Sequence, residues 1–175
     1  MAEAQPISTT LVPYAPESIR SFAPETWEIS RDRLVWAMIR VFGQMRTNTR
    51  ARLFIKLNSW NTLALHIVRA LWPNVKWIFL YRDPIEILVS NLRSKPSWLE
   101  QRTSSRRASA FFGFTPKDVE AMSVEEFGAR VVAKYYSNAA AMADEHGLLM
   151  DYRQLNANGL RQILMFFGVS RDELV

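Results

Sequence analysis

One segment restricts the fold of this chain more than any other, because a nearly unbroken apolar run leads straight into a helix start. The run is Val75–Tyr81, VKWIFLY, and its β-branched and aromatic residues are typical of a strand buried on both faces of a sheet. Asp83 is a favoured N-cap and Pro84 a favoured first helical residue. The segment therefore predicts a central strand, a turn at Arg82 and a helix that continues to about Arg93.

The remaining pattern alternates short apolar runs with longer helical ones. Further strands are predicted at Arg52–Asn58 and Leu148–Tyr152. Capping residues and apolar residues at helical spacing predict helices over 30–46, 63–71, 123–145 and 158–167, and one more that opens at Thr115. Strands that alternate with helices indicate βαβ units. The expected fold class is α/β, with a parallel sheet flanked by helices.

The domain organisation follows from length and composition. Residues 1–29 are rich in proline and lack periodicity, so we expect an extended leader there and a single α/β domain over residues 30–175. The chain has no cysteine, which excludes disulfides, thiolate catalysis and cysteine-bound metals. No secretory signal is present, and no apolar stretch approaches the roughly 20 residues that cross a membrane. A soluble, cytoplasmic protein without membrane contact is expected.

Charge directs attention to one segment. The formal net charge is +5 at pH 7, which favours anionic partners without selecting one. The stretch from Arg93 to Arg107 carries five basic residues against one acidic residue and lacks periodicity. We interpret it as a basic mobile loop, either solvated or serving as a lid over an anionic ligand. Nucleic acid is not expected as a partner, because no reader motif is present.

The predicted strand ends are the natural place for a ligand. In a parallel sheet ligands bind at the carboxyl ends of the strands, so the turns Asn58–Ser59, Arg82–Asp83 and Tyr152–Arg153 should lie side by side. Arg82, at a strand end beside a helix N-terminus, suits a phosphate. Ser90, two helical turns further on, would present its hydroxyl to the same anion if it faces Arg82. The alternative is that Arg82–Asp83 is only a salt-bridged helix cap.

These residues carry a resemblance to a known family. The segment IFLYRDPIEILVSNLR resembles the 3′-phosphate motif of sulfotransferases that use 3′-phosphoadenosine 5′-phosphosulfate (PAPS), with Arg82 and Ser90 as the motif's arginine and serine. Upstream, FIKLNSW is similar to the family's strand that ends in Lys-x-His. Downstream, MDYRQL is similar to its Tyr-Glu-Asp-Leu-like segment, followed by a helix and Phe166–Gly168. The resemblance covers roughly residues 50–170.

The resemblance implies a fold and an activity. The fold would be that of a P-loop NTPase-like sulfotransferase, with Arg82 and Ser90 binding the 3′-phosphate and Lys56 and Asn58 lining the transfer site. The co-substrate would be PAPS without a metal. A sulfuryl group would pass to a hydroxyl or amine of a small-molecule or peptide acceptor. The resemblance is compatible with a homo-oligomer.

Two departures from the family are visible. The family's Pro-Lys-Ser-Gly-Thr-Thr-like loop for the 5′-phosphosulfate has no counterpart here, since Ser8–Thr10 lacks both its glycine and its lysine. Asn58 stands where many members have a histidine, and an amide cannot accept the acceptor's proton at neutral pH. His66 and His146 are the only histidines, and both are expected to be structural. We therefore expect an N-terminally incomplete sulfotransferase fold with little or no turnover.

The alternatives belong to other classes of protein. A non-catalytic domain that binds an anion or nucleotide, or a scaffold, would keep the fold without the reaction. For Lys56 a purely structural role is an equal alternative. It would be a residue at the edge of the sheet whose amine reaches solvent from an apolar strand.

Overall fold

A computed structural model describes residues 31–42 and 53–169, and within them the fold is α/β, mostly helical with a small parallel sheet. The helices are α1 (Arg31–Phe42), α2 (Leu65–Leu71), α3 (Pro84–Ser94), α4 (Ser97–Glu100), α5 (Ser105–Phe112), α6 (Pro116–Ala121), α7 (Val124–Ala141) and α8 (Ala157–Phe167). The strands are β1 (Trp77–Tyr81) and β2 (Gly147–Asp151), and 3-10 helices cover Ser59–Ala64, Gln101–Thr103 and Tyr152–Gln154. The leader expected at 1–29 lies outside the described residues.

The two strands pair in parallel and in register. Trp77 lies opposite Gly147 at one end of the ladder, and Tyr81 lies opposite Asp151 at the other. Within the described ranges each strand has a single partner. The prediction of a strand buried on both faces is therefore wrong for β1: most of its residues are half-buried, and Leu80 keeps 43% of its surface exposed.

Gly147 is required by a close contact across the ladder. A Cβ atom at this position would lie 2.4 Å from a ring carbon of Trp77, which is closer than real Cβ contacts come. The helix predicted over 123–145 ends at Ala141 as α7, and Gly147 is the first residue of β2. Its role in the fold is to make room for the Trp77 ring.

Helices cover both faces of the sheet. Side chains alternate along a strand, so Phe79 and Met150 point to opposite faces. Phe79 contacts Tyr136 of α7, with ring centroids 5.6 Å apart. On the other face, Met150 is fully buried and packs near Gly159 of α8. The sheet and helices therefore form three layers, as βαβ units require.

The predicted strand at Arg52–Asn58 is wrong. Residues 53–58 form no ladder and lead into the 3-10 helix Ser59–Ala64. Their alternating apolar pattern has another cause, because Ile55 and Leu57 pack against the small cluster around Ala64, which is built on α1 and α2. An extended segment lying on helices buries every second side chain just as a strand does.

The interpretation of the Arg93–Arg107 stretch as a loop is also wrong. It contains α4, a 3-10 turn and the start of α5, and Trp98 and Leu99 are buried in the core. Arg102 donates to the carbonyl oxygen of Met122. No continuous period is visible in the sequence because two short helices, separated by a 3-10 turn, share the stretch.

The main hydrophobic core lies among α4 to α7 and the loops between them. Its buried members are Trp98, Leu99, Ala108, Phe112, Val119, Met122, Phe127, Val131, Val132 and Tyr135. α7 supplies four of these ten residues and also contacts α3 and the Ser59–Ala64 segment. One long helix thus connects the core to the sheet.

The capping residues confirm several predicted helix starts. Asp83 accepts from the backbone N–H of Ile85 at 2.8 Å, and Pro84 is the first residue of α3. Thr115 and Ser123 cap α6 and α7 in the same way. α3 does not bury all of its apolar side chains, since Ile85 keeps 70% of its surface exposed.

Candidate functional site

The candidate site lies where β1 and β2 end. Because the strands are parallel and in register, the Arg82–Asp83 and Tyr152–Arg153 turns are neighbours at one edge of the sheet. A cavity of about 550 Å³ opens there, lined by these strand ends and by the C-terminal part of α7. Two of the three predicted turns therefore meet. Asn58–Ser59 is not among the residues that line the cavity.

Arg82 is held at both its side chain and its backbone. Its guanidinium pairs with the carboxylate of Glu86, one helical turn away, at 2.5 Å, and both side chains are about half exposed. The Arg82 backbone N–H donates to the hydroxyl of Tyr136 at 3.0 Å, and that hydroxyl donates to the Arg82 carbonyl oxygen. An anion that binds Arg82 must therefore displace the Glu86 carboxylate from the guanidinium or share the guanidinium with it.

The second arginine of the cavity is also paired. The guanidinium of Arg153 approaches the carboxylate of Asp151 to 2.6 Å. This hydrogen bond is the main reason why the pKa of Asp151 is lowered from its ordinary value of 3.8. Since Asp83 is the other carboxylate of the lining, the two arginines and two aspartates balance in charge.

An aromatic wall faces these charges. Tyr136 contacts Phe79 and Tyr81, with ring centroids 5.6 and 6.2 Å apart. Burial raises the pKa of the Tyr136 hydroxyl above its ordinary value of 10.0, so at neutral pH the hydroxyl keeps the proton that it donates to Arg82. The cavity therefore offers aromatic rings, packed edge to face, beside polar groups, and sites for organic ligands commonly combine the two.

Ser90 lies on the same side of α3 as Glu86. The two residues are one helical turn apart on α3, whereas Arg82 precedes the helix and reaches Glu86 through its ion pair. Ser90 is exposed and does not line the cavity. The joint binding of one anion by Arg82 and Ser90 stays a prediction.

Lys56 and Asn58 lie on the irregular segment before the Ser59–Ala64 turn, and both are exposed. The carbonyl oxygen of Asn58 accepts from the backbone N–H of Asn61 at 3.0 Å. Neither Lys56 nor Asn58 lines the cavity at the strand ends. α7 nevertheless connects the two places, because Asn138 donates to the Thr62 carbonyl oxygen. Their assignment to a transfer site stays a prediction.

The histidines lie away from the cavity. His66 is exposed on α2, and His146 lies in the turn before β2, 3.8 Å from the carboxylate of Glu145. In the described part of the chain no group of three or more acidic or histidine side chains is arranged to hold a metal ion. None of the helices within the same ranges has the length and apolar character needed to cross a membrane.

Tyr136 is the residue of this site that the sequence pattern did not reveal. It is 54 residues from Arg82 in the chain, within a helix whose polar and apolar positions look ordinary. Asp151 carried a stronger signal, because it stands at the end of a predicted strand. Its position opposite Tyr81, the residue before Arg82, follows directly from the parallel register.

Comparison of the chain with models of known protein families, with curated proteins and with solved structures gives no significant match.

Proposed function

We propose that this protein binds a nucleotide through its 3′-phosphate at the end of β1, as a domain of the PAPS-dependent sulfotransferase type. The observation that carries the proposal is the position of Arg82. It lies at the carboxyl end of a parallel strand, directly before a capped helix and at the mouth of a cavity of about 550 Å³. This is where open α/β sheets bind their ligands.

The phosphate binds by exchange with Glu86. An exposed ion pair between residues one helical turn apart is worth only about 0.3–0.5 kcal/mol. A phosphate offers two oxygens to the guanidinium fork and carries more charge than the carboxylate it displaces, so it is the stronger partner. The first amides of α3 add little, because Asp83 already accepts from them. Arg82 therefore supplies most of the affinity for the phosphate.

The nucleoside part fits the remainder of the cavity. Its volume lies within the range of about 300–1,000 Å³ that is usual for small-molecule sites. The rings of Tyr81 and Tyr136 give a base a surface to pack against. The Asp83 and Asp151 carboxylates suit the amino and hydroxyl groups of a nucleoside as hydrogen-bond acceptors.

The reaction would be sulfuryl transfer. The bond between sulfur and the bridging phosphate oxygen breaks and its electron pair stays on that oxygen, sulfur bonds to the oxygen or nitrogen of the acceptor, and the acceptor's proton passes to water. Such a reaction depends mainly on alignment and on stabilising the charge that develops on the leaving phosphate. In this proposal Lys56 and Asn58 line the transfer site.

A second function is favoured by one observation. Lys56 and Asn58 are not part of the cavity that holds Arg82. A domain that binds the nucleotide without transferring a sulfuryl group needs only that cavity. Binding and turnover therefore have to be measured separately.

Binding is tested by thermal unfolding with adenosine 3′,5′-bisphosphate, and with adenosine 5′-monophosphate as the ligand that lacks the 3′-phosphate. A site-specific ligand at 100 times its Kd stabilises a protein by about 2.7 kcal/mol. We expect stronger stabilisation by the bisphosphate than by the monophosphate, and loss of that difference in Arg82→Ala. Arg130→Ala is the matched control, because Arg130 forms the same kind of exposed helical ion pair with Glu126.

Three results would contradict the proposal. Equal stabilisation by both nucleotides would remove the 3′-phosphate from recognition, and loss of binding in Arg130→Ala would point to general charge. Preference for oligonucleotides with a steep salt dependence would indicate a nucleic-acid binder.

Turnover is then measured with PAPS and a panel of phenols, alcohols and amines. Binding without turnover supports the non-catalytic domain.

A further inference from the structure

The peptide groups of Arg82 lie just beyond the last rung of the β1–β2 ladder. The ladder ends with the pair Tyr81 and Asp151. At the next residue, Arg82, the Tyr136 hydroxyl is the hydrogen-bond partner of the backbone. It accepts from the Arg82 N–H at 3.0 Å and donates to the Arg82 carbonyl oxygen. A hydroxyl can do both, since it has one donor and two acceptor positions. One side chain therefore bonds both peptide groups of one residue.

The hydroxyl itself is held firmly in place. Tyr136 follows the core residue Tyr135 on α7, and Ala139, one turn further, is also fully buried. The Tyr136 ring packs edge-on against Phe79, one of the half-buried residues of β1. The position of the hydroxyl is therefore set by the packing of α7 on the sheet.

We propose that Tyr136 is the positioning residue for Arg82, fixing the peptide of this arginine so that its guanidinium reaches the anion at the mouth of the cavity. This role rests on the proposed function, because it assigns Tyr136 to the recognition of the 3′-phosphate. Tyr136 acts through Arg82 and does not itself bond the phosphate. It also connects α7, and thereby the hydrophobic core, to the binding site.

Tyr136→Phe is the variant that tests this role, because it removes one hydroxyl and keeps the ring that packs on Phe79. Both peptide groups of Arg82 then lose their partner. We expect the Kd for adenosine 3′,5′-bisphosphate to rise about tenfold, as expected when a pair of hydrogen bonds is lost. The Kd for adenosine 5′-monophosphate should stay within about twofold. The ratio of the two affinities is the diagnostic quantity, because a general loss of stability would not change it.

Amide hydrogen exchange gives a second readout that needs no ligand. In the wild type we expect the Arg82 amide to be protected, although it lies outside the strand ladder. In Tyr136→Phe its exchange should become at least about tenfold faster, while the β1 amides that are bonded to β2 keep their protection. Tyr135→Phe is the matched control, since it makes the same chemical change at the preceding residue, whose hydroxyl is buried in the core.

The outcomes separate this inference from the proposed function. If the wild type prefers the bisphosphate and Tyr136→Phe keeps that preference, the positioning role is wrong and the nucleotide site stands. If the wild type shows no preference, the proposed function fails, and the recognition role of Tyr136 fails with it. Unchanged exchange of the Arg82 amide in Tyr136→Phe would overturn the positioning role in either case. A change of the same size in Tyr135→Phe would overturn it as well.

Discussion

The helical core and the sheet side of this molecule differ in how much apolar surface they bury. In the core among α4 to α7, ten side chains are buried together, and Phe127 and Val131 are fully inaccessible to solvent. On the sheet side, Met150 is the one strand residue of the described chain that is fully buried. α8 leaves large apolar side chains in solvent, with 79% of the Met165 surface exposed.

The candidate site belongs to the weakly packed region. Its arginines and aspartates stand at the ends of two short strands, and its connection to the core is α7 with Tyr136. Burial of apolar surface contributes most of the stability of a domain. We infer that the helical core determines whether the chain folds, while the sheet side determines whether the site is formed. The predictions below test that division.

The largest effect is expected in the core, for Phe127→Ala. Phe127 is 0% exposed and packs edge-on against Phe112, with ring centroids 5.6 Å apart. Its removal leaves a cavity and should lower the free energy of unfolding by about 3–5 kcal/mol, measured by chemical denaturation. Met165→Ala is the control on the sheet side and should change it by less than about 0.5 kcal/mol. Equal losses in both variants would contradict the division.

Gly159→Ala compares the regions through one added methyl group. On the sheet side, the new Cβ would lie 1.9 Å from the backbone oxygen of Gln154. Overpacking of this kind costs about 1–3 kcal/mol. In the core, Gly128→Ala meets the flexible end of Leu88 at 2.8 Å, which can move. Denaturation should therefore show a larger loss for Gly159→Ala, and the reverse order would show that the core is the less tolerant region.

The cap of α3 should contribute about as much as a cap in the core. Asp83→Ala removes the acceptor for the first amides of α3 and should cost about 1 kcal/mol. Ser123→Ala removes the corresponding cap of α7 at a similar cost. Only Asp83→Ala should also change nucleotide affinity, because Asp83 lines the cavity. Unchanged affinity in Asp83→Ala, measured by calorimetry, would separate the cap from the site.

Glu86→Gln should strengthen anion binding slightly. It removes the carboxylate that pairs with Arg82, and the free energy of such an exposed pair, about 0.3–0.5 kcal/mol, corresponds to about a twofold lower Kd for the bisphosphate. Glu126→Gln removes an equivalent ion pair on α7 and should leave that Kd unchanged. A higher Kd in Glu86→Gln would mean that the carboxylate helps to hold the ligand.

The smallest effect concerns pH. The hydroxyl of Thr115 donates to Asp118 and is the main cause of the lowered pKa of that carboxyl, whose ordinary value is 3.8. A lowered pKa means that the ionised Asp118 stabilises the folded state above about pH 4. The stability difference between wild type and Asp118→Asn should therefore shrink as the pH falls through the lowered pKa. A difference that grows on acidification would contradict this sign.

The local features of the fold could be predicted from the sequence. These features depend only on neighbouring residues. They are the helix start at Asp83–Pro84, the caps Thr115 and Ser123, and the strand predicted at Leu148–Tyr152, which is β2, and all are confirmed. The strand at Arg52–Asn58 could not be excluded, because alternating burial arises equally from an extended segment on helices. Hydrogen-bond partners, which separate the two cases, are not encoded in a local pattern.

The candidate site was predictable to the extent that it depends on strand ends. Arg82 and Arg153 were expected to be neighbours, and they line the same cavity. Tyr136 could not be found in this way, since its bond to Arg82 spans 54 residues of sequence. Glu86 could have been found, because residues four apart on a helix with opposite charges commonly pair.

The fit of Gly147 beneath the Trp77 ring sets the alignment of the whole ladder. Sliding β2 by one residue would force Leu148 under the indole and turn every side chain of the strand to the other face. Asp151 lies four residues, or about 13 Å, along the strand from Gly147, and the same slip would move it out of register with Tyr81. The absence of a side chain at Gly147, at the start of β2, thus fixes the strand register. That register determines which charged groups lie next to each other at the carboxyl ends of the strands.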